Sequence, residues 1–229
     1  VMNDKFQDFL EVTGKAFRES FSKFSKIYVA FFVFLVRSIF MNSRMTSMIG
    51  GGFVGGLINY FLEVLLLCFI AQSMRSVVIY GNTGKKSIGN SVNNFWQPMA
   101  STFFYFYLFE MIISLLPVPT DVKLLLYVVF NFLMSSLLEE VYINGNAGVD
   151  ALKKSAKFVC DNIITYGIFS LVCLIVITKL TLNSGVGFIN HVIYIVIIAV
   201  VDLLFYLIRG HLFKYLDKHS YRQRKFMRG

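Results

Sequence analysis

Six apolar runs, at about 25 to 41, 53 to 79, 99 to 117, 122 to 143, 163 to 182 and 187 to 208, limit what this chain can fold into more than any other feature. Each approaches the roughly 20 residues a helix needs to cross about 30 Å of hydrocarbon. A bilayer interior offers no water to the backbone, so a crossing segment must be a helix or a strand of a closed barrel. Stretches such as LLLYVVFNFLMSSLL and IFSLVCLIVI show no in/out alternation and are about twice as long as a membrane strand, which selects helices. With 56% apolar residues, 25 Phe and 15% charged residues, the chain has too few polar groups to cover a soluble domain of 229 residues. The first run is the shortest. Its clean part ends at Val36, and Arg37 is expected near a helix end with its guanidinium reaching for the interface. No small-x-small cleavage site follows that run, so the N-terminus is expected to stay attached.

A twelve-residue pattern recurs three times, at Thr13 to Phe24, Gly84 to Phe95 and Gly148 to Val159. The copies align Ala16, Ser87 and Ala151; Phe17, Ile88 and Leu152; Ser20, Ser91 and Ser155; and Phe24, Phe95 and Val159. The second and third also share Gly81/Gly145, Asn82/Asn146 and Gly84/Gly148. In the first copy the apolar residues Phe6, Phe9, Leu10, Thr13, Phe17, Phe21 and Phe24 fall at spacings of three and four, one stripe of an amphipathic helix. Such helices would lie along the interface or tuck beneath the bundle. The expected fold is all-α: six transmembrane helices and three cytoplasmic-side amphipathic helices in three parallel repeats, related by a pseudo-threefold axis along the membrane normal. The units are 1–80, 81–146 and 147–210, with a basic tail at 211–229. In GGGFVGG, Gly51/Gly55 and Gly52/Gly56 have the small-xxx-small spacing that allows close helix packing.

Orientation follows from the basic residues. With both termini on one side, 18 of the 22 Lys and Arg fall there, leaving Arg37, Arg44, Lys123 and Lys179 for the other. The positive-inside rule makes the basic side cytoplasmic, in a multi-pass protein of the cell membrane. The net charge of +9 does not imply nucleic acid, because no region outside the membrane is large enough to present a binding surface. Membrane lipids, including anionic head groups at the basic face, are the expected partners, with a membrane protein partner as a further candidate for the tail.

The segment EEVYINGNAGVDALKKSAKFVCDNIITYGIFSLVCL combines a helix end, a glycine turn, A-L-x-x-S and an apolar crossing. Over about residues 75 to 180 it resembles bacterial six-helix integral membrane proteins grouped with the glycerophosphoryl diester phosphodiesterase membrane domain and related uncharacterised families. The resemblance implies the fold and no defined activity. Glu139-Glu140 in LLEEVYING is similar to the E-E-x-x-x-R-G start of CAAX-protease-like intramembrane enzymes, where paired carboxylates would serve as base and water activator. Here Asn144 replaces the Arg, and the surroundings of His191 lack the F-x-x-x-H spacing. The competing expectation is that both carboxylates are interfacial and solvated. GNTGKKS lacks the leading Gly of a phosphate loop and follows a membrane helix, so it reads as the turn of the repeat. Cys68, Cys160 and Cys173 have no metal spacing, the three His are scattered, and no cofactor is implied.

Ionisable residues within the crossings are the functional lead, since an ionised group there is costly and usually faces a polar interior. Glu63, Glu110 and Asp202 fall well inside runs, and the 64-residue period makes Glu63, Tyr127 and His191 equivalent. Glu63, Glu110, His191 and Asp202 are therefore the candidate substrate or ion pathway. A purely structural hydrogen-bonding role for these groups stays open. Two function classes follow: a small transporter, channel or lipid-handling protein, and a non-catalytic accessory, regulatory or immunity protein. An intramembrane protease is a distant third.

Overall fold

The apolar runs do become helices, and among the described residues, 2–42, 53–182, 188–219 and 221–228 of a computed structural model, there is no strand. Helix α1 (Met2–Ser22) ends in a 3-10 turn at Phe24–Lys26 and is followed by α2 (Tyr28–Asn42) and α3 (Phe53–Val78). A 3-10 turn at Ile88–Asn90 opens α4 (Ser91–Leu115), and α5 (Thr120–Leu133) and the short α6 (Leu137–Tyr142) follow. Then come α7 (Gly148–Asp161), a π turn at Ile163–Gly167, α8 (Ile168–Leu182), α9 (Phe188–Lys218) and α10 (Tyr221–Arg228). Among the described residues, five stretches are long and apolar enough to cross a membrane: Gly55–Val78, Ile88–Leu115, Thr120–Tyr142, Ile163–Thr181 and His191–Lys218. The chain is thus a multi-pass membrane protein in composition and helix length. Tyr28–Met41 is apolar but shorter.

Burial is uneven along the bundle. The core gathers where α3 ends, α4 begins and α9 nears its end, around Met74, Val77, Met99, Leu207 and Leu212, all fully buried. Tyr142 and Tyr166 are buried at the same end. Lys26 Nζ donates to the Gly81 carbonyl at 2.7 Å and Lys214 Nζ to that of Val78 at 2.9 Å, which brings these turns together. Away from that end the helices splay. Leu124, Leu125, Phe104, Leu115 and Ile193 point outward, as a lipid-facing surface requires.

The repeated residues turn out to be packing positions. Ser20, Ser91 and Ser155 are buried, and each hydroxyl donates to a backbone carbonyl: that of Ala16 at 2.7 Å, Ile88 at 2.5 Å and Leu133 at 3.0 Å. Gly81 and Gly145 stand at φ +62° and +72°, Gly84 and Gly148 at +71° and +59°, a region that favours glycine. The two turns close with the same backbone bonds, Gly81 to Val77 and Asn82 to Ser76, and Gly145 to Val141 and Asn146 to Glu140.

Several expectations change. In α1 the inward ridge is Asp8, Val12, Ala16 and Ser20, with Phe17 packed edge-on against Phe169, while Phe6, Leu10, Phe21 and, in the following turn, Phe24 are exposed. The second pattern copy forms no separate amphipathic helix: from Ile88 it runs directly into α4, with Pro98 inside that helix. The fourth apolar run breaks at residues 134–136, where Ser155 of α7 inserts its hydroxyl against the Leu133 carbonyl and lies 2.9 Å from Ser136 Oγ. The stretch from residue 211, read as a tail, is built into the fold. α9 continues to Lys218 with Leu212, Phe213 and Leu216 buried, and α10 is tied back by Arg224. Gly51 and Gly52 lie outside the described residues; of their small-xxx-small partners, Gly55 is buried and Gly56 is exposed with open space around it.

Candidate functional site

Where the helices splay, α2, α3, α4, α5, α8 and α9 surround a cavity of about 500 Å³. Its apolar walls include Leu67, Phe103, Phe106 and Leu174; its polar lining includes Arg37, Glu63, Tyr107, Glu110, Asn131 and Asp202, with Ser170 and Arg209 deeper. The exposed Thr178 and Met41 stand at the rim, and the buried Leu137 and Leu138 form the floor.

Each polar side chain is held by a different helix. Arg37, five residues before the end of α2, reaches Asp202 of α9 (Nη1 to Oδ2, 3.5 Å) and Glu63 of α3 (Nη2 to Oε1, 4.0 Å). It is aimed by the contact of α2 with α9, pinned next door by Ser38 Oγ donating to the Ile195 carbonyl at 2.9 Å. Glu63 also accepts a hydrogen bond from the Tyr107 hydroxyl of α4. Glu110, one turn further along α4, accepts from Asn131 Nδ2 of α5 at 3.4 Å, while the Tyr127 hydroxyl donates to its backbone carbonyl at 2.9 Å. No cation stands within ion-pair distance of Glu110 among the described residues. Below this layer Arg209 of α9 meets the fully buried Glu139 of α6 (Nε to Oε1, 3.3 Å) and stacks over Tyr206, its guanidinium carbon 4.4 Å from the ring centre. Ser170 is buried on the cavity wall.

Three of the four residues singled out from sequence therefore line one space: Glu63, Glu110 and Asp202. His191 is half-buried near the start of α9 and is not part of the lining, nor is Tyr127, so of the three residues made equivalent by the repeat period only Glu63 faces the cavity. Arg37 does not simply reach for the interface; its head group is shared between two carboxylates. Arg209 lay just past the expected end of the last crossing and was assigned to the cytoplasmic side. The apolar spacing of Leu212, Phe213 and Leu216 was the signal that the helix continues inward-facing beyond it.

Glu139 and Glu140 are not solvated. Both are buried, and they do separate jobs. Glu139 pairs with Arg209, whereas Glu140 Oε2 accepts from Asn144 Nδ2 at 3.0 Å and Asn146 Nδ2 at 2.6 Å and so clamps the glycine turn. No group of three His, Cys, Asp or Glu among the described residues is placed to hold a metal ion. His211 Nδ1 lies 3.1 Å from Glu19, beneath α1 and away from both carboxylates. Comparisons with family models, curated proteins and solved structures found no match to this chain.

Proposed function

We propose that this protein is a small transporter or channel of the cell membrane, with both termini cytoplasmic, whose intramembrane cavity receives a small charged or zwitterionic solute. One observation carries the reading: a space of about 500 Å³ within an otherwise apolar bundle is lined by Arg37, Arg209, Glu63, Glu110 and Asp202. Charged groups at membrane depth are costly and are found where a polar substrate or ion passes, and a cavity of this size suits a small molecule. Arginine offers a planar fork for a carboxylate or phosphate, and Glu110, with no cation beside it among the described residues, offers a place for an ammonium or a proton. The cavity would be open away from the termini and closed towards them by the buried layer around Leu137, Leu138 and Glu139.

We count α2 as the sixth crossing. It packs along α9 and α3 and carries Arg37 into the same cavity, although its 15 residues span only about 22 Å. The like turns at Gly81 and Gly145 and the buried serines support three related units, and the resemblance to six-helix bacterial membrane proteins is consistent with that count. The exposed phenylalanines of α1 fit an interfacial helix.

Cysteine accessibility tests the reading on a single helix. Asn131 lines the cavity, and Val129, two residues earlier on α5, faces outward. In a background lacking the native cysteines, a charged membrane-impermeant thiol reagent should label Asn131→Cys and spare Val129→Cys. Equal lack of labelling would mean a dry interior and remove the transport reading. The mutual pairing of Arg37 with Asp202 and of Arg209 with Glu139 favours the second reading, an accessory protein whose buried charges only hold helices together. That reading requires the wild type itself to show no more solute uptake in proteoliposomes than empty vesicles, and Glu110→Gln and Asp202→Asn to change stability alone.

A further inference from the structure

A second concavity, on the outside of the bundle, differs in character from the first. Between α2 and α3 runs a trough of about 700 Å³ whose walls are almost wholly apolar, including Tyr28, Phe32, Val36, Leu66, Phe69 and Ile88. Lys85, in the turn before α4, is the one charged side chain on its lining. It is exposed, and no hydrogen bond or ion pair engages its ammonium among the described residues.

The turn at Gly81, four residues before that lysine, is bordered by other lysines. Lys26 donates to the Gly81 carbonyl and Lys214 to that of Val78, both neutral acceptors that leave the cationic charge unbalanced. Lys23 stands beside the same turn, its side chain close to Gly81, and burial together with the neighbouring Lys214 pushes its ammonium below the usual lysine range. Glu19, the acid nearest this group, lies against His211. A long apolar trough carrying on its lining a cation that pairs with nothing among the described residues complements a molecule with a hydrocarbon tail and an anionic head.

We propose that this trough is a docking site for an anionic phospholipid, one acyl chain lying along Phe32, Leu66 and Phe69 and the phosphate meeting Lys85. Phosphatidylcholine fits the same walls, but its head group carries no net negative charge for the lysine cluster, so the site discriminates by head group. This inference needs only that the helices sit in a bilayer; it does not depend on what the inner cavity does.

The test uses the full chain in nanodiscs of equal phosphatidylglycerol and phosphatidylcholine, with tightly held lipid counted by native mass spectrometry after transfer to detergent. The wild type should retain phosphatidylglycerol in preference. Lys85→Gln, at an exposed position that leaves the fold intact, should reduce the preference about fivefold, the effect of one basic residue near a membrane surface. Val36→Trp, which adds bulk to the trough wall at a position already facing lipid, should lower retention of both lipids. No preference in the wild type, or a preference unchanged by Lys85→Gln, overturns the proposal. So does loss of lipid in Lys85→Gln with none in Val36→Trp, or effective competition by soluble glycerol phosphate, either of which reduces the site to an anion contact without a trough. A dimer that Val36→Trp dissociates would assign the face to a second copy and overturn it as well.

Discussion

Among single residues, Ser155 shows most directly how a repeated position becomes structural. Its hydroxyl faces both the Leu133 carbonyl, left free where the fourth apolar run breaks, and Ser136 Oγ, and the residue has no exposed surface. Ser20 occupies the equivalent place but bonds only within its own helix, to Ala16. Valine at residue 155 therefore strands a carbonyl and a second hydroxyl in the dry core and should cost about 1–3 kcal/mol, read as a lower melting temperature in detergent. The corresponding change at Ser20 should cost clearly less, because helix carbonyl 16 keeps its helical partner. Equal losses would show that the serines act through volume rather than hydrogen bonding. The sequence made the repeated serines visible by alignment alone, whereas what Ser155 bonds to was not legible, since nothing in MSSLLEE announced that the helix would break there.

For elements, the close approach of α9 to α6 and to the end of α3 sets the geometry of the floor beneath the cavity. Gly210 permits it: a Cβ there would collide with the Tyr142 hydroxyl and come within 3.0 Å of Val78 Cγ2, and both neighbours are fully packed. Because Tyr142 cannot withdraw, Gly210→Ala should force α9 outward, at about 1–3 kcal/mol. Arg209, one residue earlier, should lose its registry with Glu139 in the same step. Thermal unfolding and labelling of Asn131→Cys in that background would be the readouts, with labelling expected to increase as the floor loosens. The crossings themselves were readable as apolar runs. Their ends were less so: α9 extends ten residues past the expected limit because its continuation is amphipathic and buries Leu212, Phe213 and Leu216 under α1.

At the level of the whole molecule, the two ends of the chain are fastened to each other. Arg224 of α10 grips Asp8 of α1, with Nη2 to Oδ2 at 2.9 Å and Nε to both carboxylate oxygens at 3.2 Å, and it also donates from Nη1 to the His219 carbonyl. Asp8 has no exposed surface and Arg224 almost none. Removing the guanidinium takes three charge-assisted bonds from a buried carboxylate, so Arg224→Ala should lose about 3–5 kcal/mol and release α10 to limited proteolysis. Replacing both residues by leucine should recover most of that loss, since an apolar pair of similar volume carries no desolvation cost. If the double variant is as unstable as the single one, the clasp is needed for its geometry as well as for charge compensation. The arrangement also explains why sequence placed the last residues in a free tail. Asp8 and Arg224 are 216 positions apart, and no local pattern links them.

What the sequence determined by itself is the environment and the secondary structure: apolar runs of this length without in/out alternation must be helical, because they do not fit the strands of a closed barrel and a helix satisfies its own backbone in hydrocarbon. It also marked Glu63, Glu110 and Asp202 as out of place, since a carboxylate in such a run is expensive wherever the helix ends up. Only the tertiary structure decided that these three share one cavity while His191 does not. It also decided that Arg37 and Arg209 point inward and that Glu139 is buried against a guanidinium. Those outcomes depend on how each helix is rotated and broken, which packing contacts between distant segments settle and no single run encodes.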